Sequence, residues 1–384
     1  MKRFYDFEDI RPFYDEEVNG VISSLIQEEG FKRAVQFIMP EMDYDKLTQE
    51  LSTYTTKDDF QAKAAVPVLL SLVKRSTSSL SLSGIENIGK SERYTFMSNH
   101  RDIVLDASFL NLLLWQRGFT TSEVAIGNNL LKLPWISNLV RLNKSFIVKR
   151  DVSGRKMLEF SHRLSAYIHF AIKIKHQSVW IAQREGRAKD SDDRTQESLI
   201  KMLALGGNDN LWESIRSVNI VPVSISYEYD PCDYLKAREF QMKRDNPRYK
   251  KSPGEDILNM GTGILGYKGK VVFRIAPPIN QTLAHTVPPH DKADEVACIT
   301  HPIDQSIHSI YEIYAGNYVA YDLLFGTQFE DKYTPQEKET FMQYLDQQLG
   351  KIEMPNPDIP FLKEKILEMY ANPLRNKLIA ENKM

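Results

Sequence analysis

The sequence predicts an α/β fold: a mainly parallel β-sheet flanked by helices, with an N-terminal helical region and a C-terminal helical extension. Two observations carry this. From roughly residue 92 to 275, short runs rich in Val, Ile and aromatics alternate with helical patterns. Strand, helix, strand repeated in this way needs crossover connections, so the strands pair in parallel and helices cover both faces. The two flanks lack the alternation and read as helical.

In chain order, "VNGVISSLI" (18–26) and "AKAAVPVLLSLVKR" (62–75) are the periodic segments of the N-terminal region. The Ser-rich "STSSLSLSG" (76–84) is expected to be a linker into the next unit. Strands are expected at "RYTFMS", "EVAIG", "SFIVK", "SVWIA", "NIVPVSISY" and "KVVFRI". Between "SFIVK" and "SVWIA", the spacing of Met157, Phe160, Leu164, Ile168, Phe170 and Ile172 predicts one helix face. After residue 305 the pattern is helical again, broken at Pro355, Pro357 and Pro360. The expected division is 1–85 N-terminal helical region, 86–305 catalytic α/β domain and 306–384 C-terminal extension.

Composition narrows the function classes. The chain has 384 residues, 42% hydrophobic and 26% charged, which describes a globular protein rather than a disordered or fibrous one. A formal net charge of −2 gives no basic field, so no nucleic-acid partner is expected. Cys232 and Cys298 are the only cysteines and lie far apart, which fits a reducing compartment without a disulfide framework. The opening "MKRFYDFEDIRPFYDEE" has charges where a signal peptide has an apolar stretch, and the apolar runs are too short to span a bilayer. A cytoplasmic protein is expected, with attachment to the inner face of a membrane left open.

The segment that bears chemistry is "MSNHRDIVLDASFL" (97–110), which gathers His100, Arg101, Asp102 and Asp106. A protein kinase catalytic loop also begins His-Arg-Asp, but it needs an Asn five residues after the Asp to hold a metal ion. Ala107 stands there, no DFG follows, and no lysine-bearing strand with a glycine-rich loop precedes. "GTGILG" (261–266) matches G-x-G-x-x-G far downstream and precedes a strand instead of opening a helix; it reads as a flexible turn. The kinase reading fails.

Acyl transfer to a hydroxyl is the other chemistry these residues suit. An imidazole can take the hydroxyl proton at neutral pH while the oxygen attacks a thioester carbonyl. A nearby carboxylate can fix its tautomer and stabilise the imidazolium. His100 follows the end of a strand, and in open α/β sheets ligands bind at the carboxyl edge. The alternative is a histidine beside a helix start, with the acids as caps and dipole partners.

Three further blocks follow: "GNNLLKLPWISNLVRLNKSFIVKR" (127–150), "QREGRAKD" (183–190) and "IVPVSISY" (220–227). With "NHRDIVLD", they resemble, in order, the four motifs of the glycerophospholipid acyltransferase family. That family acylates glycerol-3-phosphate and lysophosphatidic acid. The resemblance implies His100 as general base and a motif aspartate behind it. The family places that aspartate five residues after the histidine; Asp106 is six after His100, so either Asp106 or Asp102 takes the role, with Asp106 favoured by its apolar surroundings. It implies that Arg150 and Arg187 hold the acceptor's phosphate, which a planar guanidinium fork suits, with Lys149 and Lys189 adding charge. Glu185 is implied in acceptor binding and in ordering the site, and Gly186 in a close backbone turn. The third block departs from the usual "EGTRS", because Arg187 follows Gly186 directly. Pro222 is expected to shape the active-site end of its strand.

The acyl donor is expected to be a thioester of coenzyme A or acyl carrier protein, acting as co-substrate, with no further cofactor. The acceptor is a lysophospholipid or glycerol phosphate. A lipid acceptor without phosphate, and a lipid-binding protein with a degraded site, are the alternatives. Residues 128–145 interleave Leu130, Leu131, Trp135, Ile136, Leu139 and Leu142 with Lys132, Arg141 and Lys144. This suits either a segment dipping into lipid headgroups or a helix packed on the sheet; residues 64–75 pose the same choice. "HTVPPHDKADEVACITH" (285–301) holds His285, His290, Asp291, Cys298 and His301 without paired metal-ligand spacing, so no metal is expected and a loop leading into a helix is.

Overall fold

A computed structural model describes residues 7–150, 153–207 and 210–384. Its seven strands are β1 (Ser79–Ser83), β2 (Thr95–Ser98), β3 (Glu123–Gly127), β4 (Ser145–Val148), β5 (Val179–Ala182), β6 (Ile220–Tyr227) and β7 (Lys270–Ile275). They form one sheet in the order β1-β7-β6-β2-β5-β3-β4. Every pairing is parallel except β6 with β7. The expected α/β class and all six expected strands are present.

The period-2 rule of strands builds the two layers. Met97 and Ile181 face one side, with Leu164, Tyr167 and Ile168 of the Arg155–Lys173 helix and Ile299, Ile303 and Ile307 of the Lys292–Ser309 helix. Phe96 and Trp180, their neighbours in sequence, face the other side with Leu105, Phe109 and Leu113 of the Leu105–Gln116 helix. In the Arg155–Lys173 helix the expected face is buried at Leu164, Ile168 and Ile172, joined by Tyr167, while Met157 in the first turn is exposed. The N-terminal helices form a separate core around Val18, Ile22, Leu25 and Leu51. The C-terminal ones form another around Leu345, Leu362, Ile366 and Tyr370.

Three expectations are corrected. The Ser-rich passage is not a linker, because its "SLSLS" is the edge strand β1, parallel to β7. Its alternation places Leu82, buried, and Leu80 against the core, leaving the serines outward. "GTGILG" is not a turn: it lies in the Pro253–Leu265 helix apart from Gly266, the residue that ends it. Pro222 sits opposite Met97 within the sheet, not at the end where His100 lies; lacking an N–H, it serves the ladder through its carbonyl, which accepts from Ala276 N at 2.9 Å. "HTVPPHDKADEVACITH" does lead into a helix, Lys292–Ser309, capped by the Asp291 side chain.

Candidate functional site

Strand β2 ends at Ser98, and the two residues after it carry the chain to the sheet edge. Asn99 is locked there: its side chain donates to Ile225 O at 2.9 Å and accepts from Ile225 N at 2.8 Å, so it pairs with β6 as a strand residue would. His100 follows with its Nδ1 2.8 Å from Asp106 Oδ2. Its ring meets Trp180 edge to face at a centroid distance of 5.7 Å. His100 keeps a small exposed surface and lines the main cavity, whereas Asp106 is fully buried.

Asp106 stands in the first turn of the Leu105–Gln116 helix, where free backbone N–H groups and the helix dipole favour a carboxylate. Its Oδ2 also accepts from Arg101 N at 2.6 Å and Asp102 N at 3.0 Å. The Tyr227 hydroxyl donates to its Oδ1 at 3.2 Å. Burial, followed by the charges of Asp106 and Asp102, pushes the Tyr227 phenol well above its usual range, so it stays a donor. A carboxylate held by this many donors has one orientation left, with Oδ2 toward the imidazole.

Asp102 has a different task. Its Oδ1 accepts from Val104 N at 2.8 Å and Leu105 N at 2.7 Å, closing the turn that starts the helix. Burial and the neighbouring Asp106 push its carboxyl above the ordinary range. Of the two aspartates, Asp106 therefore meets His100 and Asp102 shapes the turn between them. Arg101 points elsewhere and forms a buried ion pair with Asp193.

The other candidate residues converge on one cavity of roughly 1890 Å³. Its long part is apolar, walled by Phe31, Leu69 and Leu72 of the N-terminal region, Leu112, and Ile257 and Leu265. Its polar end holds His100, Lys149, Arg150, Glu185, Gly186, Arg187 and Lys189. Arg150 Nε lies 3.7 Å from Glu185 Oε1, and its backbone N donates to Asn128 Oδ1 at 2.9 Å. A Cβ on Gly127 would collide with Arg150, so the glycine opening the second block makes room for that side chain. Gly186 has φ +69°, the left-handed conformation that favours glycine, and it turns the chain between Glu185 and Arg187. Arg187 Nη2 donates to Asn259 Oδ1 at 3.1 Å, while its buried Nη1 has no partner among the described residues.

Lys149 is not a free cation: Asp9 pairs with it, and its ammonium lies 4.5 Å from the Phe160 ring centroid. The amphipathic segment forms the Pro134–Leu142 helix, which packs against the N-terminal helices through Trp135 and Leu139 and lines the cavity. No described helix is long and apolar enough to cross a membrane. Sequence reasoning missed Asn99, Tyr227 and Asn259. For Tyr227 the signal was present, since "IVPVSISY" ends at the sheet edge that bears His100; for Asn259, far along the chain, there was none.

Residues 79–226 match the family model described as Acyltransferase. The crystal structure of the 1-acyl-sn-glycerophosphate (LPA) acyltransferase PlsC from Thermotoga maritima matches at 14% identity and a TM-score of 0.37, covering 74% of this chain and 94% of that one. No curated protein matches the chain. The family match runs from the start of β1 into β6 and takes in the His100–Asp106 pair and the residues of the second and third blocks. Residues 79–226 are thus similar to an acyltransferase domain, and this stretch holds most of the four blocks.

Proposed function

We propose that the protein transfers a fatty acyl group from a thioester of coenzyme A or acyl carrier protein to a hydroxyl of a lysophospholipid or glycerol phosphate. The observation that carries this reading is the 2.8 Å contact of His100 Nδ1 with Asp106 Oδ2, with His100 lining a largely apolar cavity that Arg150 and Arg187 also line. An aspartate within hydrogen-bonding reach of the imidazole speaks against a degraded site.

With Asp106 accepting from Nδ1–H, the other ring nitrogen, Nε2, carries the free lone pair. Nε2 takes the acceptor's hydroxyl proton as the oxygen attacks the thioester carbonyl. The buried carboxylate stabilises the resulting imidazolium. Collapse of the tetrahedral intermediate breaks the C–S bond, and the leaving thiolate receives the proton from His100. Arg150 and Arg187 hold the acceptor's phosphate; Glu185 steadies Arg150, and Gly186 places Arg187. The cavity exceeds the ~300–1,000 Å³ of ordinary small-molecule pockets, which suits a long acyl chain.

The test is acyl transfer by purified protein, with a palmitoyl thioester and a panel of lyso-lipids plus glycerol-3-phosphate. His100→Ala should lower the rate by about 10²–10⁴. Near-normal turnover by that variant would sink the mechanism. Arg150→Ala should weaken phosphate-bearing acceptors selectively; equal loss on acceptors without phosphate would remove its assigned role.

A further inference from the structure

Outside the family domain, the Asp233–Asp245 helix brings Glu239 to the polar end of the cavity. Three ammonium groups meet on this one carboxylate. Lys189 pairs with it from the third block, Lys243 from one turn further along the helix at 2.9 Å, and Lys251 from the following loop at 2.9 Å. Asp256 lies 3.9 Å from Lys251, while Asp102 and Asp230 are the carboxylates whose charges act on Arg187. The three ammonium groups outnumber the carboxylates of Glu239 and Asp256 by one, so the corner keeps a surplus of about one positive charge at a partly desolvated position.

This surplus is costly in the unliganded chain. Burial first, and then the like charge of Lys243, draws the Lys189 ammonium down to about 8 against the pull of Glu239. Lys189, Lys251, Glu239 and Arg187 all line the same cavity as His100, whereas Lys243 does not. Arg187 presents the buried Nη1 that lacks a partner among the described residues. Crowded ammonium groups beside an unfilled guanidinium donor are a receptor for an oxyanion with several acceptor oxygens.

We propose that Lys189 and Lys251, arranged by Glu239, form with Arg187 a binding site for a phosphoryl group, so that the polar end of the cavity extends beyond the family domain onto the segment 239–251. Lys243 adds charge from behind without touching the ligand. Two ligands bear that chemistry, the acceptor's glycerol phosphate and the phosphates of a coenzyme A donor. The assignment rests on the acyl-transfer reading only for the choice of these two.

The experiment is calorimetric titration of the full chain with glycerol-3-phosphate and, separately, with coenzyme A. Lys251→Gln should weaken binding of one or both by about ten- to a hundred-fold, the scale of a lost charged hydrogen bond. Selective loss for glycerol-3-phosphate assigns the site to the acceptor, and selective loss for coenzyme A assigns it to the donor. Lys243→Gln, which removes the same charge outside the cavity, should change either affinity by much less. Unchanged affinities in Lys251→Gln would overturn the site, as would equal losses in both variants or no binding of either probe to the wild-type chain. Because binding is read without turnover, Lys251-dependent binding in a chain that makes no acylated product would remove the acyl-transfer reading and leave the site standing.

Discussion

Between His100 and Asp106 the chain has one residue more than the family spacing, and Asp102 absorbs it by capping the turn through Val104 N and Leu105 N. The two aspartates can be separated by substitution. Asp106→Asn keeps the shape but puts an amide where four donors converge, and turnover should fall by about 10²-fold or more. Asp102→Ala should act on stability first, costing about 0.5–2 kcal/mol for the lost cap, measurable as a lower urea midpoint. A larger rate loss in Asp102→Ala than in Asp106→Asn would reverse the roles assigned here.

The Pro253–Leu265 helix is the element that ties the flanks to the site. It packs on the Val66–Ser76 helix, contributes Asn259 to Arg187, and lays Gly263 against the Asp102 carboxylate, where a Cβ would overlap Oδ2. Gly263→Ala should therefore cost about 1–3 kcal/mol by overpacking and depress turnover with it. In the neighbouring Asp233–Asp245 helix, burial would raise the Glu239 carboxyl, but hydrogen bonds from Lys189, Lys251 and Lys243 outweigh it and hold the group at about 2. A depressed carboxyl contributes stability above its unfolded value, near 4.5, and loses it as pH falls toward 2. Glu239→Gln should thus be destabilised by about 1–3 kcal/mol at pH 7, with the gap closing toward pH 3 in denaturation series. A gap independent of pH would contradict the assigned pairing.

At the scale of the whole molecule, one buried carboxylate gathers donors from two of the C-terminal helices, beside further bonds such as Arg194 to Asn376 and Asn372 to Asp190 O. Asp233 accepts from the Tyr344 hydroxyl at 2.6 Å, Gln348 Nε2 at 2.6 Å and the Tyr370 hydroxyl at 2.9 Å. These come from the Pro335–Gly350 and Ile359–Ala380 helices, neither of which lines the cavity. Burial and then the charge of Asp230 raise the Asp233 carboxyl to about 7; Tyr344→Phe removes one of its donors and should cost about 1–3 kcal/mol in denaturant unfolding while leaving KM values unchanged. The N-terminal helices stand in the opposite relation, because Phe31, Leu69 and Leu72 are cavity wall, so truncating these side chains should alter acyl-chain preference as well as stability.

Much of this architecture is local in origin. Runs of Val, Ile and aromatics specify strands wherever they fall, and the crossovers between them leave parallel pairing as the solution for β2 to β6; the four blocks could be found for the same reason, each being a contiguous stretch of chain anchored on a strand. The edge strand "SLSLS" was missed because alternating serine looks like linker until β7 pairs with it. "GTGILG" was misread because three glycines suggest a turn, while packing against the Val66–Ser76 helix and Asp102 holds them in a helix. The choice between Asp102 and Asp106 lay beyond the sequence, since a one-residue shift in a turn changes which carboxylate faces the imidazole. The sequence by itself determined the strands β2 to β7, the order of the blocks and the histidine. Only the tertiary structure decided which groups from distant segments meet that histidine and Arg187, because hydrogen bonds such as those of Tyr227 and Asn259 depend on position in space and leave no periodic trace along the chain.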